Sequence, residues 1–331
     1  MSDRMWEWLD GFPQQVSRAA EMSQNWDLAL DPPANIAFLG IGGSAIGADL
    51  VCNLYRAELS RPAAVARGEA PPAWLGPDSL AVATSYSGET RETLAAFTRA
   101  LDRGARGICI SSGGTLMKLA WDRDLPRLQI PAGMAPRAAL GYTSFPLIRV
   151  LQAAGAIPGQ ALELDNLLRP LNSLRLEWGN PDGPGAGVGR RLLRRLPIIV
   201  GLGFTSVAVR RCQAQLAENA KAMSVPFEVP EALHNLVETL DAAYLETFRP
   251  VALYLEDMEA SEADKKVMKA VRETFQQAGV EGIPILTQGK TPLERLFTLI
   301  HKVDWISWHL AALKGVDPVA IPNIMGLKGK L

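Results

Sequence analysis

The chain is 331 residues long, room for two domains of ordinary size and too much for a minimal binding module. Lys and Arg number 34 against 35 Asp and Glu, a net charge of −1, so the basic excess that a nucleic-acid binder uses against phosphates is missing. A small anion held by a few directed groups stays compatible with that balance, and three histidines, His234, His301 and His309, confine neutral-pH proton transfer to few positions.

At 48% hydrophobic and 21% charged residues, the chain can bury a sizeable core. Its longest uncharged run, residues 32–48, carries two prolines and four glycines and is too short and too broken to span a membrane. The first residues lead into an amphipathic Trp-rich stretch without the apolar centre of a signal peptide, which predicts a cytoplasmic protein. Cys52, Cys109 and Cys212 share no metal or redox spacing and read as small buried hydrophobes in a reducing compartment.

After a helical N-terminal segment, short apolar runs at 36–39, 80–84, 107–110 and 125–130 read as buried strands. Helices lie between them, such as 90–103, which carries Leu94, Phe97 and Leu101 on one face and stops before Gly104. The Gly- and Pro-rich stretch 179–189 reads as a linker between a domain at 1–178 and another at 190–331. Beyond it the pattern restarts with a strand at 197–200, a turn at 201–206 and a helix at 207–223, followed by strands at 225–229, 250–255 and 283–286. The alternation predicts α/β architecture, two domains of related design, each a parallel sheet flanked by helices.

Ligands of such sheets bind beyond the carboxyl ends of the strands. The turn Gly40-Ile41-Gly42-Gly43-Ser44 follows a strand and opens a helix, so its amides and the helix dipole can receive a phosphate. Read as a dinucleotide fingerprint it lacks a well-placed acidic residue, since Glu58 and Glu69 fit poorly and only Arg67 suits a 2′-phosphate. The second junction, Thr84-Ser85-Tyr86-Ser87-Gly88-Glu89-Thr90, brings several hydroxyls to a helix start. Its plainer reading makes Ser87 the N-cap, with Glu89 and Glu92 complementing the dipole. Gly289-Lys290-Thr291 imitates the end of a phosphate-binding P-loop, but Pro284 stands where its first glycine belongs. Thr291-Pro292-Leu293-Glu294 is instead a capping box with Pro at the first helical position, and His301 and His309 read as packing or surface residues without ligand partners.

Taken together, GIGGSAIGADL (40–50), SYSGET (85–90), PRAALGY (136–142), ENAK (218–221), HN (234–235) and a tail with GVDP and LK between 315 and 328 resemble the bifunctional phosphoglucose/phosphomannose isomerases of the sugar isomerase (SIS) superfamily. The resemblance implies two SIS-type, flavodoxin-like domains and aldose-ketose isomerisation of hexose 6-phosphates through a cis-enediol, without cofactor or metal. It implies phosphate contacts from Gly42, Gly43, Ser44, Ser85, Ser87 and Thr90, with Glu218 as base. Arg137 would stabilise the enediolate, and His234, helped by Lys328, would assist ring opening. A homodimer with the active site near the subunit interface is implied as well, with no nucleic-acid or membrane partner. Two residues depart from the family pattern: Glu89, where an amide is frequent, and Leu236, where an acidic residue commonly follows His-Asn. A sugar-phosphate-binding SIS regulator without isomerase activity is the alternative, since it would need the phosphate loops and not Glu218 or His234.

Overall fold

The structure, a computed structural model, describes residues 4–159 and 163–330; the sequence reading of residues 1–3 lies outside these. The chain forms two compact units, one of Phe12–Leu164 and one of the segment up to Gly11 with everything from Asp165 onward. Helix α1 (Arg4–Asp10) thus belongs to the unit built mainly from the C-terminal half.

In the unit Phe12–Leu164, α2 (Phe12–Gln24) leads to β1 (Asn35–Leu39), α3 (Gly43–Leu54), β2 (Ala63–Ala66) and β3 (Ser79–Ser85). Then come α4 (Arg91–Asp102), β4 (Arg106–Ser111), α5 (Gly114–Asp122), β5 (Arg127–Gln129) and α6 (Leu140–Ala153). The five strands are parallel in the order β2-β1-β3-β4-β5, the flavodoxin-like arrangement. Strand β3 lies centrally, covered on both faces, which is why all seven of its residues are buried and why its sequence lacks the alternation of a half-exposed strand. On one face Ala81, Ala83 and Cys109 pack with Phe97 of α4 and with Leu116 and Ala120 of α5.

The other unit continues with α7 (Leu164–Trp178), α8 (Pro184–Leu192), β6 (Pro197–Leu202), α9 (Ser206–Glu218) and β7 (Val225–Val229). It ends with α10 (Ala242–Phe248), β8 (Val251–Glu256), α11 (Glu262–Gln277), β9 (Glu281–Leu286), α12 (Pro292–Lys314) and α13 (Pro322–Lys328). Its parallel sheet, β7-β6-β8-β9, repeats the first four positions of the other sheet. Helix α12 is buried on nearly every side; it opens with the reciprocal Thr291/Glu294 capping box and closes at Gly315 in the left-handed region (φ 66°).

Three expectations change. The stretch 179–189 is not a linker: it holds a turn and most of α8, and both α7 and α8 lie in one unit, whose boundary falls at Leu164/Asp165. Its glycines serve close packing, since a Cβ at Gly185 would sit 2.7 Å from the Trp178 carbonyl oxygen and 3.0 Å from the His309 ring. Helix α9 stops at Glu218 instead of running to residue 223, because Lys221 turns the chain through a left-handed conformation (φ 49°). Strand β5 is shorter than 125–130, since the Leu125 amide closes the end of α5 on the Ala120 carbonyl, and the short half-buried edge strand β2 adds a fifth member.

His301 and His309 are buried packing residues: Nε2 of His301 accepts from the Trp305 indole at 3.1 Å, and Nε2 of His309 lies 2.7 Å from the Trp178 carbonyl oxygen. Of the cysteines, Cys109 and Cys212 are buried and Cys52 partly so; burial pushes the thiols of Cys52 and Cys109 up to about 12.

Candidate functional site

In a sheet of order 2-1-3-4-5 the winding reverses between the first and third strands, and the crevice at their carboxyl ends is the favoured ligand position. The loop after β1 and the loop after β3 are the two glycine- and hydroxyl-rich segments, Gly40–Ser44 and Ser85–Thr90. The Tyr86 amide donates to Ser44 Oγ at 3.0 Å, tying the start of α3 to the end of β3. Ser85 Oγ accepts from the Gly88 amide at 3.1 Å and donates to Thr90 Oγ1 at 3.0 Å. Gly88 must be glycine: its φ is 73° and a Cβ would fall 1.9 Å from the Gly113 carbonyl oxygen.

Thr90, not Ser87, occupies the N-cap of α4; the exposed Ser87 hydroxyl accepts from the Glu89 amide at 3.2 Å instead. Neither Gly42 before α3 nor Thr90 before α4 makes a side-chain capping bond, whereas Ser261 and Thr291 cap α11 and α12. No side chain closes either helix start; at α3 the Ser44 and Ala45 amides turn back to the Ile41 and Gly42 carbonyls at 3.2 and 3.1 Å, so an anion there would meet a helix N-terminus with no competing side-chain acceptor.

Arg137 joins this constellation. It lies in a single helical turn, Pro136–Ala138, and is buried. An ideal Cβ on Gly43 would meet the Arg137 amide nitrogen at 2.9 Å, so the backbones of the phosphate-type loop and the arginine turn are in direct contact. Gln15 braces this turn by donating to the Ala138 carbonyl at 2.8 Å and accepting from the Gly141 amide at 2.7 Å. Tyr86 holds the approach to it, donating to the Pro131 carbonyl at 2.9 Å and accepting from the Met134 amide at 3.0 Å. Sequence reading missed Gln15 and Tyr86. The Glu89 carboxylate caps α5, accepting from the Thr115 amide at 2.8 Å and from its hydroxyl at 2.9 Å.

The remaining predicted residues lie in the other unit. Glu218 ends α9 and is half-buried; the next residue, Asn219, is fully buried and donates to Ser307 Oγ of α12 at 2.9 Å. His234 is exposed in the turn Glu231–His234 that follows β7, and Leu236 beside it packs onto the apolar cluster around Phe227 and Phe275, which accounts for an apolar residue there. Lys328 is exposed at the end of α13. Helix α9 runs back alongside the strands, so Glu218 lies at the end where β7 begins and His234 beyond the end where it stops. The five residues of β7 keep them apart by its length, roughly 13 Å at 3.3 Å per residue step.

At the second sheet's own reversal point, between β6 and β8, the groups are already satisfied. Asp257 accepts from Arg295 at 2.9 Å and from Thr287 at 2.8 Å, and Thr205 Oγ1 donates to the Leu255 carbonyl at 2.7 Å. Among the described residues no group of three or more His, Cys, Asp or Glu is placed to hold a metal, and no helix is long and apolar enough to cross a membrane.

Paired flavodoxin-like parallel sheets with a hydroxyl-rich reversal point define the class: residues 183–331 match the family described as bacterial phospho-glucose isomerase C-terminal SIS domain. The C-terminal domain of glucosamine-fructose-6-phosphate aminotransferase from Francisella tularensis shares the fold, with a TM-score of 0.73 at 13% identity over 97% of this chain and 99% of that one. A bifunctional phosphoglucose/phosphomannose isomerase from Caldicellulosiruptor bescii is 31% identical over 99% of this chain and 98% of its own length. One from Aquifex aeolicus is 30% identical over 92% and 93%. The chain belongs to the family of bifunctional phosphoglucose/phosphomannose isomerases.

Proposed function

We propose that the protein interconverts glucose 6-phosphate and fructose 6-phosphate, and mannose 6-phosphate and fructose 6-phosphate, by one metal-independent mechanism. The observation that carries this reading is the pair of helix starts at the β1/β3 reversal point that no side chain caps, with Ser85 Oγ donating to Thr90 Oγ1, Ser44 Oγ accepting from the Tyr86 amide, and Arg137 packed against Gly43. Gly42, Gly43, Ser44, Ser85, Ser87 and Thr90 receive the phosphate through amides and hydroxyls.

His234, with Lys328, moves a proton between the ring oxygen and the anomeric hydroxyl, so the ring C–O bond breaks and the open-chain aldehyde forms. Glu218 removes the C2 proton as general base. The electron pair moves into the C1–C2 double bond, and Arg137 stabilises the negative oxygen that develops. The C2 hydroxyl proton passes to the C1 oxygen, and return of the abstracted proton to C1 leaves the carbonyl at C2, the ketose; no electrons leave the substrate, so the reaction requires no redox cofactor. Glucose and mannose 6-phosphates differ only at C2, which is planar in the enediol, so reprotonation on either face serves both sugars.

The separation of Glu218 from His234 along β7 supports a homodimer in which each copy lends His234 to its partner's site. Conversion of fructose 6-phosphate by wild type and by Glu218→Gln tests the chemistry. Activity is expected in the first and loss in the second, and wild type that binds without converting would leave a sugar-phosphate-binding regulator. Mixing Glu218→Gln with His234→Ala protein tests the pairing, because only residues shared across copies let two inactive variants restore activity.

A further inference from the structure

Two of the sequence signatures contain residues with no part in the chemistry above: Lys221 in Glu218-Asn219-Ala220-Lys221, and Asp317 in Gly315-Val316-Asp317-Pro318. The structure joins them. Lys221 Nζ donates to the Glu218 carbonyl at 2.6 Å and to the Asp317 carbonyl at 2.6 Å, with the Asn219 carbonyl at 3.4 Å. The left-handed backbone of Lys221 (φ 49°) turns the chain at the end of α9, and its ammonium reaches back to the helix-terminal carbonyls. Lys314 Nζ, from the last turn of α12, donates to the Lys221 carbonyl at 2.8 Å and holds the reversed segment from its other side. The Asp317 carboxylate accepts from the Val319 amide at 2.8 Å, shaping the turn that leads into α13 and Lys328.

We propose that Lys221 is a positioning residue for the isomerase reaction. By clamping the Glu218 backbone to the Asp317 turn, it fixes where the base stands and where the lysine-bearing tail departs. The inference rests on the assignment of Glu218 as base. Asn219 anchors the neighbouring position to α12, while Lys221 holds the Glu218 carbonyl itself, and proton transfer tolerates little displacement of donor from acceptor.

The test compares Lys221→Met, Lys221→Arg and Lys314→Met in steady-state isomerisation of glucose 6-phosphate, with protium or deuterium at C2. For Lys221→Met, kcat is expected to fall about ten- to a hundredfold while KM changes little, since the phosphate loops are untouched. The deuterium isotope effect on kcat should rise as C2 proton transfer becomes slower, Lys221→Arg should recover part of the loss, and Lys314→Met should show a smaller change of the same kind. A folded Lys221→Met with wild-type kcat and isotope effect overturns the proposal. So does a fall in kcat without a larger isotope effect, accompanied by a lower melting temperature. If Lys221→Met does not fold, Lys314→Met decides by the same two readouts. Full activity in Glu218→Gln would instead refute the base assignment, an outcome distinct from an inactive Glu218→Gln beside an unaffected Lys221→Met.

Discussion

Replacing Gly43 by alanine probes the contact on which the proposed phosphate site depends. The new Cβ would lie 2.9 Å from the Arg137 amide nitrogen, 2.9 Å from the Pro136 carbonyl carbon and 3.0 Å from its oxygen, all backbone atoms that no rotamer change can move. Restoring an ordinary contact requires a shift of about half an ångström, of the kind that costs about 1–3 kcal/mol in a packed interior. The Pro136–Ala138 turn cannot recede freely, because Gln15 holds the Ala138 carbonyl and the Gly141 amide and Tyr86 holds Pro131 and Met134. The strain therefore falls on the first turn of α3, whose amides are assigned to the phosphate. If all of it appears in binding, fructose 6-phosphate affinity drops roughly five- to 150-fold. Calorimetric titration of Gly43→Ala measures this directly. Gly42→Ala is the comparison, since no atom lies within 4 Å of its Cβ and only its positive φ opposes the substitution. Adding Gln15→Ala to Gly43→Ala frees the arginine turn and should recover part of the affinity. Unchanged affinity and melting temperature in Gly43→Ala would refute the reasoning.

Glu89→Ala removes both acceptors at the start of α5 and should destabilise the protein by about 1 kcal/mol, whereas Glu89→Gln keeps an acceptor and loses less; chemical denaturation measures both. Arg211→Met strands the buried Asp304 carboxylate, which the guanidinium now meets at 3.0 and 2.6 Å, and should cost about 3–5 kcal/mol, with Arg211→Met/Asp304→Leu recovering most of it. Burial, with Arg175 nearby, lowers the His301 pKa from 6.5 to about 3, so the folded state keeps the ring neutral where the unfolded chain takes up a proton. That stability is present above pH 6.5 and is lost as pH falls towards 3; His301→Gln should flatten the fall in melting temperature across this window, and an unchanged slope would contradict it.

Much of this architecture was legible in the sequence for local reasons. Strands β1, β3 and β4 are covered on both faces and read as continuous apolar runs, while the loops after β1 and β3 announce themselves through glycines and hydroxyls at helix starts. The capping box of α12 was visible because its partners are three residues apart. What stayed hidden depends on distant partners: Gln15 acts on a turn more than a hundred positions away, and Tyr86 reaches residues 131 and 134. The glycines of 179–189 misled because glycine permits both flexibility and close approach, and the helix α12 that crowds Gly185 and Gly189 lies far along the chain. Glu89 shows the same limit: local reading assigns its carboxylate to the dipole of the helix that follows, whereas its partner is the start of α5, 26 positions on.

The closed Arg295–Asp257–Thr287 cluster at the reversal point of the second sheet bears on stoichiometry. Two like-ordered sheets offer two geometrically equivalent crevices, yet the second already has a carboxylate satisfied by its own guanidinium and hydroxyl. An incoming phosphate there would have to displace that carboxylate or face it at close range. The repetition of architecture is thus uncoupled from repetition of binding: saturation at one sugar phosphate per chain is the expectation.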